Sequence, residues 1–379
     1  MIVEAVGIAD GERPIPPPAT AKRQPLPLLT SLRFFAALDV LFYHRAPTLE
    51  PGFFRNLTAS GYDAVSFFFI LSGFVLLYAY GAPAASVGIT TSRGAFWWAR
   101  VVRIMPAYLL GLLIASPLFV YSGLVSRVSP FADCVAGLVL LPLLLQAWWP
   151  PIAIIWNGPA WSLSVEAFFY ALFPFLADSF GRWPVRYSLP VVAGLLLAVA
   201  VTREAITGGG NPSVFYTNMA LYLPLLHLPQ FLLGMALCRW FLDTGHAAGG
   251  RWRAGLFPLG IAITLALFGL RSWLPTWCLS PPIQAIAFGT LILGAATAKS
   301  PKFLCGQLML MLGEASYSIY ILHEPIAIWW NRSVGGLGEN GLWWSFAMYG
   351  CTVTIASVAC FMWVETPCRR WLGACRGRG

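Results

Sequence analysis

Apolar runs of about 17 to 25 residues recur along the chain, the length at which a helix crosses a bilayer core, with polar or proline-containing stretches between them. The pattern predicts spans at about 31–49, 61–81, 104–123, 158–178, 187–203, 219–241, 254–272, 281–298, 308–331 and 341–363. Continuous apolar runs of this kind favour an all-α transmembrane bundle over a barrel of short alternating strands. VAGLVLLPLLLQAWWPP (135–151) has an internal proline and is short, so it fits either a span or a re-entrant, interfacial piece.

Basic residues arbitrate. If 135–151 does not cross, ten spans remain, both termini lie on one side, and 18 of the 24 Lys and Arg residues fall on that side. Lys and Arg in short loops mark the cytoplasmic face, so both termini are expected there. Counting 135–151 as a span would put Arg251, Arg253 and the C-terminal arginines outside.

Composition agrees with a membrane protein: 58% of the 379 residues are hydrophobic and only 10% charged, with mean hydropathy +0.71. Soluble domains carry about 25% charged residues. The net charge of +9 needs no nucleic-acid partner, because positive-inside loops beside anionic lipid account for it. Residues 1–29 are proline-rich and polar and read as a disordered cytoplasmic tail, leaving one membrane domain over 30–379. The tail lacks the pattern of a cleaved signal peptide. The eight cysteines stand singly, without a CxxC pair or a nearby histidine at ligand spacing, so neither a metal site nor a disulfide framework is expected.

Against this apolar background the ionisable residues stand out, since each costs roughly 2.5 to 3.5 kcal/mol near the bilayer centre. LTSLRFFAALDVLFYHRAP (29–47) carries Arg33, Asp39, His44 and Arg45. Arg33 and His44 are eleven residues apart, so they share a helical face and are separated by about 16 Å. That places Arg33 near the cytoplasmic surface and His44 deep in the helix, while Asp39 lies off that face and is expected to pair with another helix. Snorkelling to the membrane surface would accommodate Arg45.

Ser72 and Gly73 lie mid-span, where small residues admit a second helix or a ligand. Arg100 and Arg103 make a fork suited to phosphate. In WNGPAWSLSVEAFFYALFPFL (156–176), Asn157 and Gly158 can cap, Trp156 and Trp161 suit a membrane interface, and Ser162 and Glu166 share a face at i and i+4. LGEASYSIYILHEPI (312–326) adds Glu314, His323 and Glu324. A buried proton relay of Asp39, His44, Glu166 and His323 would also suit a proton-coupled transporter or flippase, although no inverted pair of broken helices is evident.

Taken together, SLRFFAALDVLFYH, FFFILSGF, ARVVRIMPAYLL, WNGPAWSLSVEAFFYALFP and LGEASYSIYILHEP followed by VETPCRRWL resemble the acyltransferase-3 family of membrane O-acyltransferases, over residues 30–372. RFFAAL is closer in wording to the branch that includes macrolide acyltransferases. The resemblance implies ten transmembrane helices, acyl-CoA as the cytoplasmic co-substrate and no tightly bound cofactor. The acceptor would be a hydroxyl of a glycan, glycolipid or macrolide-like molecule. It also implies an essential His44 paired with Arg33 in an R-x10-H pattern, donor binding by Arg100 and Arg103, and an acidic role for Glu166. A donor arm would pass Ser72 and Gly73, and Trp161, Ser162, His323 and Asp39 would help bind the acceptor. Two departures stand out. HLPQFLLG (227–234) has His227 and Gln230 where many relatives carry a charged pair. The chain also ends soon after the tenth span, so an acceptor needing an extracytoplasmic esterase-like domain would require a separate partner protein.

Overall fold

The computed structural model describes residues 23–82, 88–126, 130–208, 212–244, 251–298, 301–338 and 340–376. Among them the chain is all-helical, and an isolated bridge between Gly81 and Ile89 is the extent of its β pairing. The helices are α1 (Pro27–Arg45), α2 (Phe53–Thr58), α3 (Gly61–Tyr80), α4 (Arg93–Val120), α5 (Phe131–Leu140), α6 (Trp161–Arg182) and α7 (Val185–Thr207). They continue with α8 (Val214–Tyr222), α9 (Leu228–Asp243), α10 (Arg251–Gly269), α11 (Pro281–Thr297), α12 (Gln307–Ser333), α13 (Trp343–Cys360) and α14 (Thr366–Arg376).

Six helical segments among the described residues are long and apolar enough to cross a membrane: those built on α3, α4, α6, α7, α9 and α13. α10 and α11 are apolar but shorter. α1 and α12 are long enough, but they carry Arg33, Asp39, His44 and Arg45 on one and Glu314, His323 and Glu324 on the other. α5 has ten residues, about 15 Å of helix, which is half of the hydrocarbon thickness. The chain after it folds back against the bundle through short 3-10 turns, burying Gln146, Ala147 and Ile152. Gln146 donates to the Ala160 carbonyl (2.8 Å) and Ser164 Oγ accepts from the Ala147 amide (3.3 Å), so this irregular backbone is satisfied by protein, as membrane depth requires.

α1 lies between α3 and α12, α9 crosses α3 closely, and α4 packs against α12 and α6. The α3–α9 crossing depends on two glycines. A Cβ on Gly73 would stand 2.0 Å from the Phe231 carbonyl oxygen, and one on Gly234 would stand 1.9 Å from that of Ile70. Gly313 allows a similar approach of α12 to α1, at the Thr30 carbonyl. α4, α7 and α13 turn large apolar side chains outward, such as Leu113, Val201 and Ile355, which suits lipid rather than water.

Carbonyls freed by helix-interior prolines are reused. Pro325 in α12 lacks the amide that would bond Ile321, and Asn157 donates to that carbonyl instead (3.0 Å). Pro174 likewise leaves the Tyr170 carbonyl to the Trp97 indole (3.0 Å). Helix-interior prolines persist in a bundle where neighbours satisfy the freed group. Asn157 therefore ties two helices together and does not cap α6, whose start has no side-chain cap.

The proline-rich stretch 1–22 lies outside the described residues. Residues 23–29, expected as part of that tail, belong to the folded body: α1 begins at Pro27, and Arg23 donates to the carbonyls of Leu77, Tyr78 and Gly81 at the end of α3.

Candidate functional site

A cavity of about 850 Å³ opens among α1, α3, α4, α6 and α12, within the size range of small-molecule sites. Arg23, Arg33, Arg100 and Arg103 line it, together with Ser72, Ser162, Glu166, Glu314, Tyr170 and Tyr320. The start of α1, the end of α3 and the first turns of α4 meet here, so the basic residues gather at one end of the bundle.

The arginines differ in availability. Arg100 donates to the Tyr80 hydroxyl (2.7 Å) and lies against the rings of Tyr80, Phe96 and Tyr170. Arg33 and Arg103 have no hydrogen-bond partner among the described residues, although each feels Glu166 and Glu314 electrostatically. Two guanidiniums from different helices thus face the cavity with donors to spare, a geometry that suits a polyanion. The sequence pairs Arg100 with Arg103, whereas the structure leaves Arg33 and Arg103 open and encloses Arg100 in aromatic rings.

Deeper in, Glu166 accepts from the Tyr170 hydroxyl and from Ser72 Oγ (3.4 Å). Ser162 and Tyr320 share a hydrogen bond (2.7 Å), and the Pro159 carbonyl stands within reach of both hydroxyls, at 3.1 and 3.0 Å. Tyr320 forms part of the inner wall. Its ring lies 6.2 Å from that of His323, and His323 lies 5.2 Å from His44, centroid to centroid.

His44 does not line this cavity. It sits in the last turn of α1 with an exposed ring, not deep in the helix as the spacing suggests, because α1 starts and ends earlier than the predicted span. Its Nδ1 bonds the Val40 carbonyl (2.9 Å). A carbonyl only accepts, so Nδ1 carries a proton, and in the neutral ring Nε2 holds the lone pair. Beside it, Arg45 forms a two-pronged ion pair with Glu324. Arg45 is therefore half-buried and paired, and does not snorkel to the surface.

The other candidate residues lie elsewhere. Gly73 forms the α3–α9 crossing and faces away from the cavity, which Ser72 alone of that pair lines. Trp161 is 5% exposed within a cluster of Tyr62, Phe69, Tyr222 and His227, a core position that does not line the cavity. Asp39 pairs with another element as expected, accepting from Ser60 Oγ (3.3 Å) ahead of α3, but it lines no cavity with the others. His227 and Gln230 bond each other, and Gln230 donates to Ser66 (3.0 Å); this is a buried structural network outside the cavity.

Arg23, Tyr170 and Tyr320 are cavity residues that the sequence pattern does not single out. Tyr170 stands at i+4 from Glu166, a spacing that could have found it. Tyr320 becomes visible only when α12 is placed against α6.

Comparison with known proteins identifies the family. A profile for an acyltransferase domain matches residues 28–362. The chain is 31% identical to acyltransferase MdmB of Streptomyces mycarofaciens, with 92% of each chain covered. It is 25% identical to O-acetyltransferase OatA of Staphylococcus aureus (strain NCTC 8325 / PS 47), over 91% of this chain and 57% of that protein. Protein 2 in picA locus of Rhizobium radiobacter is 32% identical over 46% of this chain and 89% of that one. No solved structure matches. With the family profile and the relatives agreeing over nearly the whole helical body, the chain belongs to the acyltransferase-3 family and is an acyl-transferring enzyme of the membrane.

Proposed function

We propose that this enzyme moves an acyl group, acetyl first among candidates, from acyl-CoA to a hydroxyl of a sugar-containing acceptor such as a glycan, glycolipid or macrolide-like molecule. The observation that carries the reading is the cavity with arginines at one end and Ser162 and Tyr320 at the other, beyond which stand His323 and His44. Arg33 and Arg103 hold the donor's phosphates, with Arg100 and Arg23 completing the positive field. The basic end faces the cytoplasm, in line with the distribution of Lys and Arg. The acyl-pantetheine arm runs past Ser72 and Glu166 towards Tyr320. The separation of Arg33 from His44, about 16 Å along α1, suits such an extended arm.

His44 Nε2 takes the proton of the acceptor hydroxyl as its oxygen attacks the thioester carbonyl. The carbon–sulfur bond then breaks, and the thiolate leaves and recovers a proton. Imidazole suits both halves of this exchange. Glu166 orients Ser72 and Tyr170 along the donor path and makes no contact with His44. Membership in an acyl-transferring family, together with the O-acetyltransferase relative, favours this chemistry over proton-coupled transport.

The donor assignment is tested by titrating CoA into the purified protein in detergent. Arg33→Gln and Arg103→Gln should each weaken binding at least about tenfold, the scale expected when a sheltered charge-assisted hydrogen bond is removed. Equal affinity in wild type and both variants would overturn it.

A further inference from the structure

The end of the bundle opposite the arginines carries a second constellation. His44 lies in the last turn of α1, and His323 and Glu324 are consecutive on α12. One ligand-capable atom from each lies within 4.8 Å of the others. Both histidines engage Nδ1 with a backbone carbonyl, His44 with Val40 (2.9 Å) and His323 with Tyr320 (2.8 Å). In the neutral rings Nε2 is therefore the nitrogen that holds the lone pair. His323 is 1% exposed, and its Nε2 has no hydrogen-bond partner. A buried polar atom left in this way is destabilising unless a ligand takes it up. Glu324 Oε1 lies 3.8 Å from that nitrogen, and its carboxylate is held by Arg45. The exposed His44 ring provides an entry path.

We propose that His44, His323 and Glu324 bind a divalent transition-metal ion of the imidazole-preferring kind, Zn²⁺ above all, with the remaining positions filled by water. Two imidazole nitrogens and one carboxylate oxygen are a donor set for Zn²⁺, Cu²⁺ or Ni²⁺, and a poor one for Mg²⁺ or Ca²⁺. A carbonyl on the far ring nitrogen and a second group on the carboxylate are the outer-shell partners that orient metal ligands. Because Arg45 offsets the charge of Glu324, the two imidazoles supply most of the attraction, and the ion is exchangeable. The sequence showed no such site because its ligands come from α1 and α12, remote from each other along the chain. Occupancy ties up the Nε2 of His44, so a bound ion reversibly switches off the proposed base. That consequence rests on the proposed function, whereas the binding itself does not.

The test uses the full-length protein in detergent, stripped with EDTA and titrated with Co²⁺ by visible absorption and with Zn²⁺ by calorimetry. One ion per chain should bind, with Co²⁺ developing ligand-field bands and Mg²⁺ failing to compete. His44→Ala and His323→Ala should each weaken binding more than tenfold, since even outer-shell changes cost 10- to 100-fold. Should His323→Ala fail to fold, the exposed His44→Ala decides the matter. Absence of saturable binding, or binding that His44→Ala retains, overturns the proposal. Because the readout is binding, it stays interpretable if acyl transfer itself fails; CoA release with and without Zn²⁺ then tests the consequence.

Discussion

The hydroxyls of Ser162 and Tyr320 lie 2.7 Å apart across the α6–α12 contact, and the Tyr320 ring stands between the arginine-lined cavity and the histidines at the other end of the bundle. In the proposed path, Tyr320 is thus the partition that a donor's acyl end would meet. Tyr320→Phe loses a hydroxyl bonded to Ser162 and Pro159 and should lower stability by about 1 kcal/mol, read as a drop in thermal midpoint. Tyr320→Trp should keep CoA affinity while blocking transfer. A Trp variant that turns over like wild type would refute the partition.

The arginines should separate by assay. Arg33→Gln and Arg103→Gln are expected to raise KM for acyl-CoA at least about tenfold and to flatten its dependence on salt, because they remove the charges proposed to meet phosphate. Arg100→Gln should instead lower the thermal midpoint, since its guanidinium is enclosed by Tyr80, Phe96 and Tyr170. KM measured across ionic strength, with melting curves alongside, distinguishes the two roles.

Asn157→Ala should destabilise by about 1 to 3 kcal/mol, because the Ile321 carbonyl that Pro325 leaves open would lose the side-chain donor that reaches it in a buried site. Pro325→Ala in the same background restores the helical amide and should recover part of the loss. The comparison is made on unfolding midpoints in detergent.

Neighbours Ser72 and Gly73 should behave as opposites. Gly73→Leu forces a side chain into the Phe231 backbone and should abolish well-folded protein, as judged by size-exclusion profile, overpacking of this severity costing several times about 1 kcal/mol. Ser72→Ala should fold normally and change donor kinetics alone.

These contrasts show what the sequence could and could not reveal. Helical class and the position of most long helices follow from apolar runs, and the failure of 135–151 to form a full-length helix follows from its proline and its shortness. Arg33, Arg103, Ser162 and Glu166 are legible because a charge or hydroxyl in an apolar run is rare enough to stand out. Gly73 is not, because its role depends on Gly234, remote in sequence. Asn157 misleads because a cap and a tie to a proline-freed carbonyl look alike in one dimension. The enclosure of Trp161 is not legible because aromatic preference says nothing about which neighbours surround a ring. The R-x10-H spacing puts Arg33 and His44 on one face, but does not reveal the Tyr320 ring that stands between their two sites.

The central claim, that acyl-CoA enters the arginine end and His44 drives transfer at the other, is met most directly by thiol release from acetyl-CoA with purified wild type and His44→Ala side by side, pooled sugar and glycolipid acceptors present. Wild type should release thiol, and His44→Ala should not, with an unchanged size-exclusion profile and unchanged CoA affinity. Release by His44→Ala at the wild-type rate would contradict the claim.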